Sequence, residues 1–153
     1  MNPRTIYERE FIFTGIESTS DASNIAQDMQ AQGDLADKTG LPNRILHEAD
    51  PGHYYVLVWN WSAESAFQLM TAIAVTSSID QPKDSVTRTF ESSEYAVFPM
   101  EGTAPNLVEP WKEIAEWFPF ELSGFTTSFR RYNLVAGTGE ILVPMKPNLA
   151  PVT

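Results

Sequence analysis

The run His-Tyr-Tyr-Val-Leu-Val-Trp-Asn-Trp at residues 53–61 constrains the fold more than any other stretch of the chain. Aromatic and β-branched side chains suit a pleated surface, and the run is too short for an ordinary helix. It is predicted as a strand, on which alternation places Tyr55, Leu57, Trp59 and Trp61 on one face. A polar break at 62–65 follows, after which Phe67, Leu69, Thr71, Ile73 and Val75 recur at every second position. Ala66, Met70, Ala72 and Ala74 would also tolerate a helix, but the clean alternation and the short break favour a hairpin.

That hairpin closes a larger unit. Residues 11–17 read as a strand interrupted by Gly15, and residues 18–21 supply a cap signal. Ala22, Ile25, Ala26 and Met29 then form one apolar helical stripe, with Asp28, Gln30 and Gln32 expected to face away. Gly33, Gly40 and Pro42 predict a frayed helix end and loop over 33–42.

The segment 77–93, with Pro82 and several charges, is the one candidate boundary, and 86–90 within it reads as a short strand. Beyond it the same order returns. Residues 95–100 are a strand, and Leu107, Trp111, Ile114 and Phe118 are the stripe of a second helix. Asn106 and Glu109 resemble a cap, Pro110 falls early, and Pro119 ends the helix. Strands at 127–134 and 140–145 are joined across Ala-Gly-Thr-Gly at 136–139. Strand, helix, strand, strand thus occurs twice, over 10–76 and 86–146. The expected fold is α+β: one domain over 1–153, with one antiparallel sheet, both helices on the same face and a ligand groove between them.

Charge and composition narrow the partners. Acidic residues outnumber basic ones 20 to 10, which disfavours nucleic acid and anionic membrane. The absence of cysteine excludes disulfides and thiolate chemistry and points to a cytoplasmic address. Residues 1–10 carry Arg4, Glu8, Arg9 and Glu10 with no apolar run, so neither a leader nor an anchor is expected, and no stretch is apolar enough to span a bilayer. His47 and His53 flank a turn signal at 50–52 and lack companions at metal-ligand spacing. No phosphate loop or nucleophile motif is present, so neither a cofactor nor a metal is expected.

Large rings are plentiful: Tyr55, Trp59, Trp61, Phe98, Trp111, Trp117, Phe129 and Tyr132. Rings at such spacings are more often core than ligand wall, but tyrosine and tryptophan also suit a site that is dry at one end and wet at the other. Gly15, the strand 55–61, the strand 67–75, Glu-Tyr-Ala-Val-Phe at 94–98 followed by Gly102, Trp111 and Trp117, Ser-Phe-Arg-Arg-Tyr at 128–132 and Glu-Ile-Leu-Val-Pro-Met-Lys at 140–146 follow one another in a familiar order. Together they resemble the GyrI-like small-molecule-binding domain, the effector-binding module of many AraC-type and MerR-type transcription regulators, also found as free-standing proteins.

The resemblance implies a ligand slot with Tyr55, Trp59, Trp61, Phe98, Glu101, Trp111, Arg130 and Tyr132 as candidate contacts. It also implies a glutamate between the Phe and the Tyr of the penultimate strand that meets cationic ligands. Here Arg130 stands in that place. Two like charges about 4 Å apart repel by about 4 kcal/mol at an effective dielectric of 20. Either the register is shifted by one, or Glu17, Glu101 or Glu140 takes the role, or the ligand is neutral or anionic. Those carboxylates read more readily as solvated acids or as partners of Arg130 and Arg131, since acidic side chains are mostly exposed.

The expected function is to bind a small, largely hydrophobic aromatic molecule, with a cationic drug-like compound within its range. The chain would act as a free-standing sensor or sequestering protein with no DNA-reading segment of its own, not as an enzyme. The alternatives are a hydrolase of reactive small molecules and a protein-interaction module of the gyrase-inhibitor type. A second copy of the chain and a separate regulator are the further partners this reading admits.

Overall fold

The computed structural model describes residues 3–61, 64–117, 127–146 and 149–152. Among the described residues, eight strands and two helices follow in the order β1 (Arg4–Glu8), β2 (Phe11–Ser20), α1 (Ile25–Thr39), β3 (His53–Trp59), β4 (Phe67–Val75), β5 (Val86–Phe90), β6 (Ser93–Pro99), α2 (Trp111–Trp117), β7 (Ser128–Asn133) and β8 (Thr138–Pro144). A 3-10 turn, Leu41–Asn43, follows α1.

All strands join one antiparallel sheet in the order β1-β6-β8-β7-β3-β4-β2-β5. The order is symmetric about the β7/β3 seam. The units β2-α1-β3-β4 and β6-α2-β7-β8 occupy matching halves, and each half is edged by the strand that precedes the other half's first strand. Residues 9–10 alone link β1 to β2, and residues 91–92 alone link β5 to β6, although each pair sits at opposite edges of the sheet. Links that short cannot cross a flat eight-stranded sheet, so the sheet must curl until its two edges approach each other, although β1 and β5 do not pair.

The concave side is filled by rings. Phe90 on one edge strand lies 4.9 Å from Phe129 near the seam, and Phe11 lies 5.5 Å from Tyr95 across the opening. Phe13, Tyr55, Leu57, Trp59, Met70 and Leu142 complete this core. The convex side carries both helices. α1 sets Ile25 and Met29 over Val56, Val58, Phe67 and Leu69, while α2 sets Trp111, Ile114 and Trp117 over Ala96, Phe98, Ile141 and Val143. Tyr132 packs with both groups.

The local departures from expectation have physical reasons. α1 continues through Gly33 to Thr39 and ends at Gly40, whose left-handed φ of 65° lets its N–H reach the carbonyls of Ala36 and Asp37. Gln32, expected to face away, is buried: its amide nitrogen donates to Ser18 Oγ and the Leu69 carbonyl, and its oxygen accepts from Thr71. The second helix starts at Trp111, so Leu107 precedes it, and residues 101–108 instead close a loop bridged between Glu101 and Val108. Phe118, Pro119 and the first residues of the 62–65 turn lie outside the described residues. β1, which the sequence did not suggest, pairs with β6. No helix among the described residues is long and apolar enough to cross a membrane.

Candidate ligand-binding site

An open groove of about 690 Å³ lies between α1 and the sheet, reaching from Tyr54 and Val56 of β3 across β4 to Thr14 and Ile16 of β2. Its helical wall is the row Ala26, Met29, Gly33 and Ala36, which repeats at three to four residues and therefore shares one face of α1. Tyr54 and Val56 of β3 and Ile73 of β4 form the floor, and Leu41 and Ile45 close one end. The small side chains of the row keep the groove open. A Cβ added at Gly33 would meet no atom within 4 Å.

Tyr54 is opposite Tyr132 across the seam, and the rings stack with centroids 4.8 Å apart. Val56 is likewise opposite Arg130. Beyond the groove, β7 continues the helix-bearing face of the sheet toward α2, although neither Arg130 nor Tyr132 is among the residues that line the groove. Burial pushes the Tyr132 hydroxyl up to about 12 and raises that of Tyr54, so both remain protonated at neutral pH and can donate.

Arg130 is only 9% exposed. Its Nε donates to both oxygens of Glu109, at 3.0 and 2.9 Å, and its guanidinium carbon sits 5.9 Å from the Trp111 ring centre. The Trp111 indole donates to the same Glu109 carboxylate at 2.6 Å. Glu109, read from sequence only as a cap, is thus the ion-pair partner of Arg130.

A second, polar recess of about 530 Å³ opens on the other side of the sheet, where Arg4, Glu8, Glu10, Asp50, Tyr55, Arg131 and Glu140 gather. Arg131 bridges Asp50 and Glu140 at 2.7 and 2.9 Å, Arg4 adds a pair to Glu140, and the Tyr55 hydroxyl donates to Asp50 at 2.7 Å. Burial and the neighbouring Asp50 charge hold the Tyr55 hydroxyl well above its ordinary range.

The expected contacts therefore divide. Trp61, Trp111, Arg130 and Tyr132 lie on the helix-bearing face, half-buried or, for Arg130, buried. Phe98 is on that face but fully buried against α2, 5.8 Å from the Trp117 ring. Tyr55 and Trp59 must be moved: both point into the concave core, at 2% and 4% exposure. Trp61 does not share their face, because Asn60 at φ 56° breaks the alternation and turns Trp61 onto Phe67, 4.7 Å away. Glu101 is exposed in the loop after β6. Glu17 is engaged by Arg88, and Glu140 by Arg4 and Arg131, so neither reaches the groove. The groove's own wall was missed, although Ala26, Gly33 and Ala36, small residues along one helical row, were its sequence signal.

What the convex face offers a partner is shape and apolar surface with few fixed polar atoms, and that defines the class: a small-molecule-binding module. The model of the GyrI-like small molecule binding domain matches residues 1–133, and the chain belongs to that family. The structure of SAV2435 bound to tetraphenylphosphonium is similar at a TM-score of 0.72 and 20% identity, over 95% of this chain and 94% of the other. A putative transcription regulation protein from Staphylococcus aureus MU50 follows at 0.67 and 17%, over 94% and 97% of the two chains. An integron cassette protein from the mobile metagenome of Vibrio cholerae gives 0.63 and 24%, over 95% and 96%. At these identities the likeness is one of fold. No curated protein matches the chain.

Proposed function

We propose that this chain holds a flat, largely hydrophobic aromatic molecule in the groove beside α1, as a sensor or sequestering module. The open, mainly apolar groove walled by Met29, Gly33, Tyr54 and Val56 carries this reading. Its volume of about 690 Å³ falls within the range of roughly 300–1,000 Å³ usual for small-molecule sites. The stacked pair Tyr54 and Tyr132 provides a ring surface with hydroxyl donors, and Trp61 and Trp111 stand on the same side of the sheet. The similar protein SAV2435 binds tetraphenylphosphonium, which supports an aromatic ligand here without fixing its charge. Glu17, Glu101 and Glu140, the carboxylates the sequence offered for the pocket, do not line the groove, whose one carboxylate among the described residues is Asp37 of α1.

Isothermal titration with tetraphenylphosphonium, 2-naphthol and 2-naphthoate tests the proposal. At least one should release heat, and Gly33→Trp, which fills the groove, should weaken that ligand about tenfold or more, a loss of some 1.4 kcal/mol. No heat from any of them, or binding unaffected by Gly33→Trp, contradicts it.

A further inference from the structure

Arg130 lies one strand away from the groove floor, opposite Val56, with its Cβ on the helix-bearing side. A guanidinium has five N–H donors in a planar fork, and Glu109 engages only the one on Nε. That carboxylate is also held by the Trp111 indole, so its place is fixed on the Nε side. Nη1 is buried and has no hydrogen-bond partner among the described residues. A buried nitrogen carrying part of a positive charge is costly to leave unpaired, and nearly all such groups in folded proteins are satisfied.

The two terminal nitrogens of arginine form the edge on which a planar carboxylate docks through two parallel bonds. We infer that the ligand of this groove is an aromatic carboxylate, whose ring system lies over Tyr54 and Val56 and whose oxygens accept from the terminal nitrogens of Arg130. The inference rests on the proposed function and specifies the ligand for the same site. Glu109 offsets the arginine's charge and holds it in place, and the Trp111 ring beneath the guanidinium limits its rotation. An organic cation would gain nothing from those nitrogens, which only donate.

The test compares 2-naphthoate with 2-naphthylmethylammonium, which share one ring system and carry opposite charge, by titration calorimetry at low salt. The wild-type chain should bind the acid about tenfold or more tightly than the amine, the size of one charge-assisted hydrogen bond. Arg130→Met should abolish that preference. Glu109→Gln leaves Arg130 in place and removes its counter-charge, so it should widen the preference for the acid, and it keeps the inference testable if Arg130→Met fails to fold. Equal or tighter binding of the amine to the wild type, survival of the preference in Arg130→Met, or a narrowed preference in Glu109→Gln overturns the inference. If both compounds bind, both are blocked by Gly33→Trp and neither is preferred, the groove stands and the carboxylate falls. If neither binds, the carboxylate falls, and the groove reading falls with it only when tetraphenylphosphonium and 2-naphthol also release no heat.

Discussion

Asp50 and Glu8 show how one charged cluster imposes opposite demands on neighbouring side chains. Burial pulls the Asp50 carboxyl upward, but hydrogen bonds from Arg131 and Tyr55 outweigh it and leave the group below its ordinary range. A carboxylate lowered on folding contributes stability that is present above its unfolded value of about 3.9 and lost as pH falls through its folded one. Glu8 is shifted the other way, by burial first and by the Asp50 charge second, so its ionised form opposes folding as pH rises through its raised folded value. Urea midpoints measured from acid to neutral pH should therefore fall below about pH 4 in the wild type. Asp50→Asn should flatten that fall while lowering the neutral midpoint, and Glu8→Gln should raise the neutral midpoint or leave it unchanged. Gln32→Leu should cost about 1–3 kcal/mol in the same assay, because it strands the Thr71 hydroxyl and removes a donor from Ser18 and the Leu69 carbonyl. At this scale the sequence was legible in placing Arg130 and Tyr132 on one strand face, although neither lines the groove, and misleading for Tyr55 and Trp59, which point into the concave core. Both faces of β3 are apolar, Tyr55, Leu57 and Trp59 on one and Val56 and Val58 on the other, so alternation shows that the faces differ without showing which one meets the helix.

Among the elements, α1 carries the most information about function. Its interior Gly33 has no packing role that a Cβ would disturb, and glycine weakens a helix by about 1 kcal/mol relative to alanine. Gly33→Ala should raise stability by about that amount in thermal or urea unfolding, and a loss of stability would show that the groove wall is packed more tightly than described. The hairpin of β3 and β4 was legible because Phe67 and Leu69 alternate with Met70 and Ala72 on opposite faces. β1 was not, because only Ile6 and Glu8 of Arg-Thr-Ile-Tyr-Glu are even partly buried, and an edge strand with one exposed side leaves little periodic signal. The full length of α1 was hidden by Gly33, which reads as a breaker in isolation and is tolerated because Gln32 fastens the helix to β4 beside it.

For the molecule as a whole, exchange of edge strands is the organising feature. β1 protects β6 and β5 protects β2, so each half of the sheet is completed by a strand from the chain preceding the other half. Deleting residues 1–9 should expose the β6 edge, lower the melting temperature and promote self-association, visible by light scattering. The curl that these crossings impose divides the chain's rings between a closed concave core and a convex face with an open groove, and the function proposed here depends on that division. Methyl chemical shifts followed by NMR during titration with an aromatic ligand test it most directly. The account predicts that Met29, Val56 and Ile73 move together while Val97 and Leu142 in the concave core stay still. Shifts confined to Val97 and Leu142, with Met29 unmoved, would contradict it.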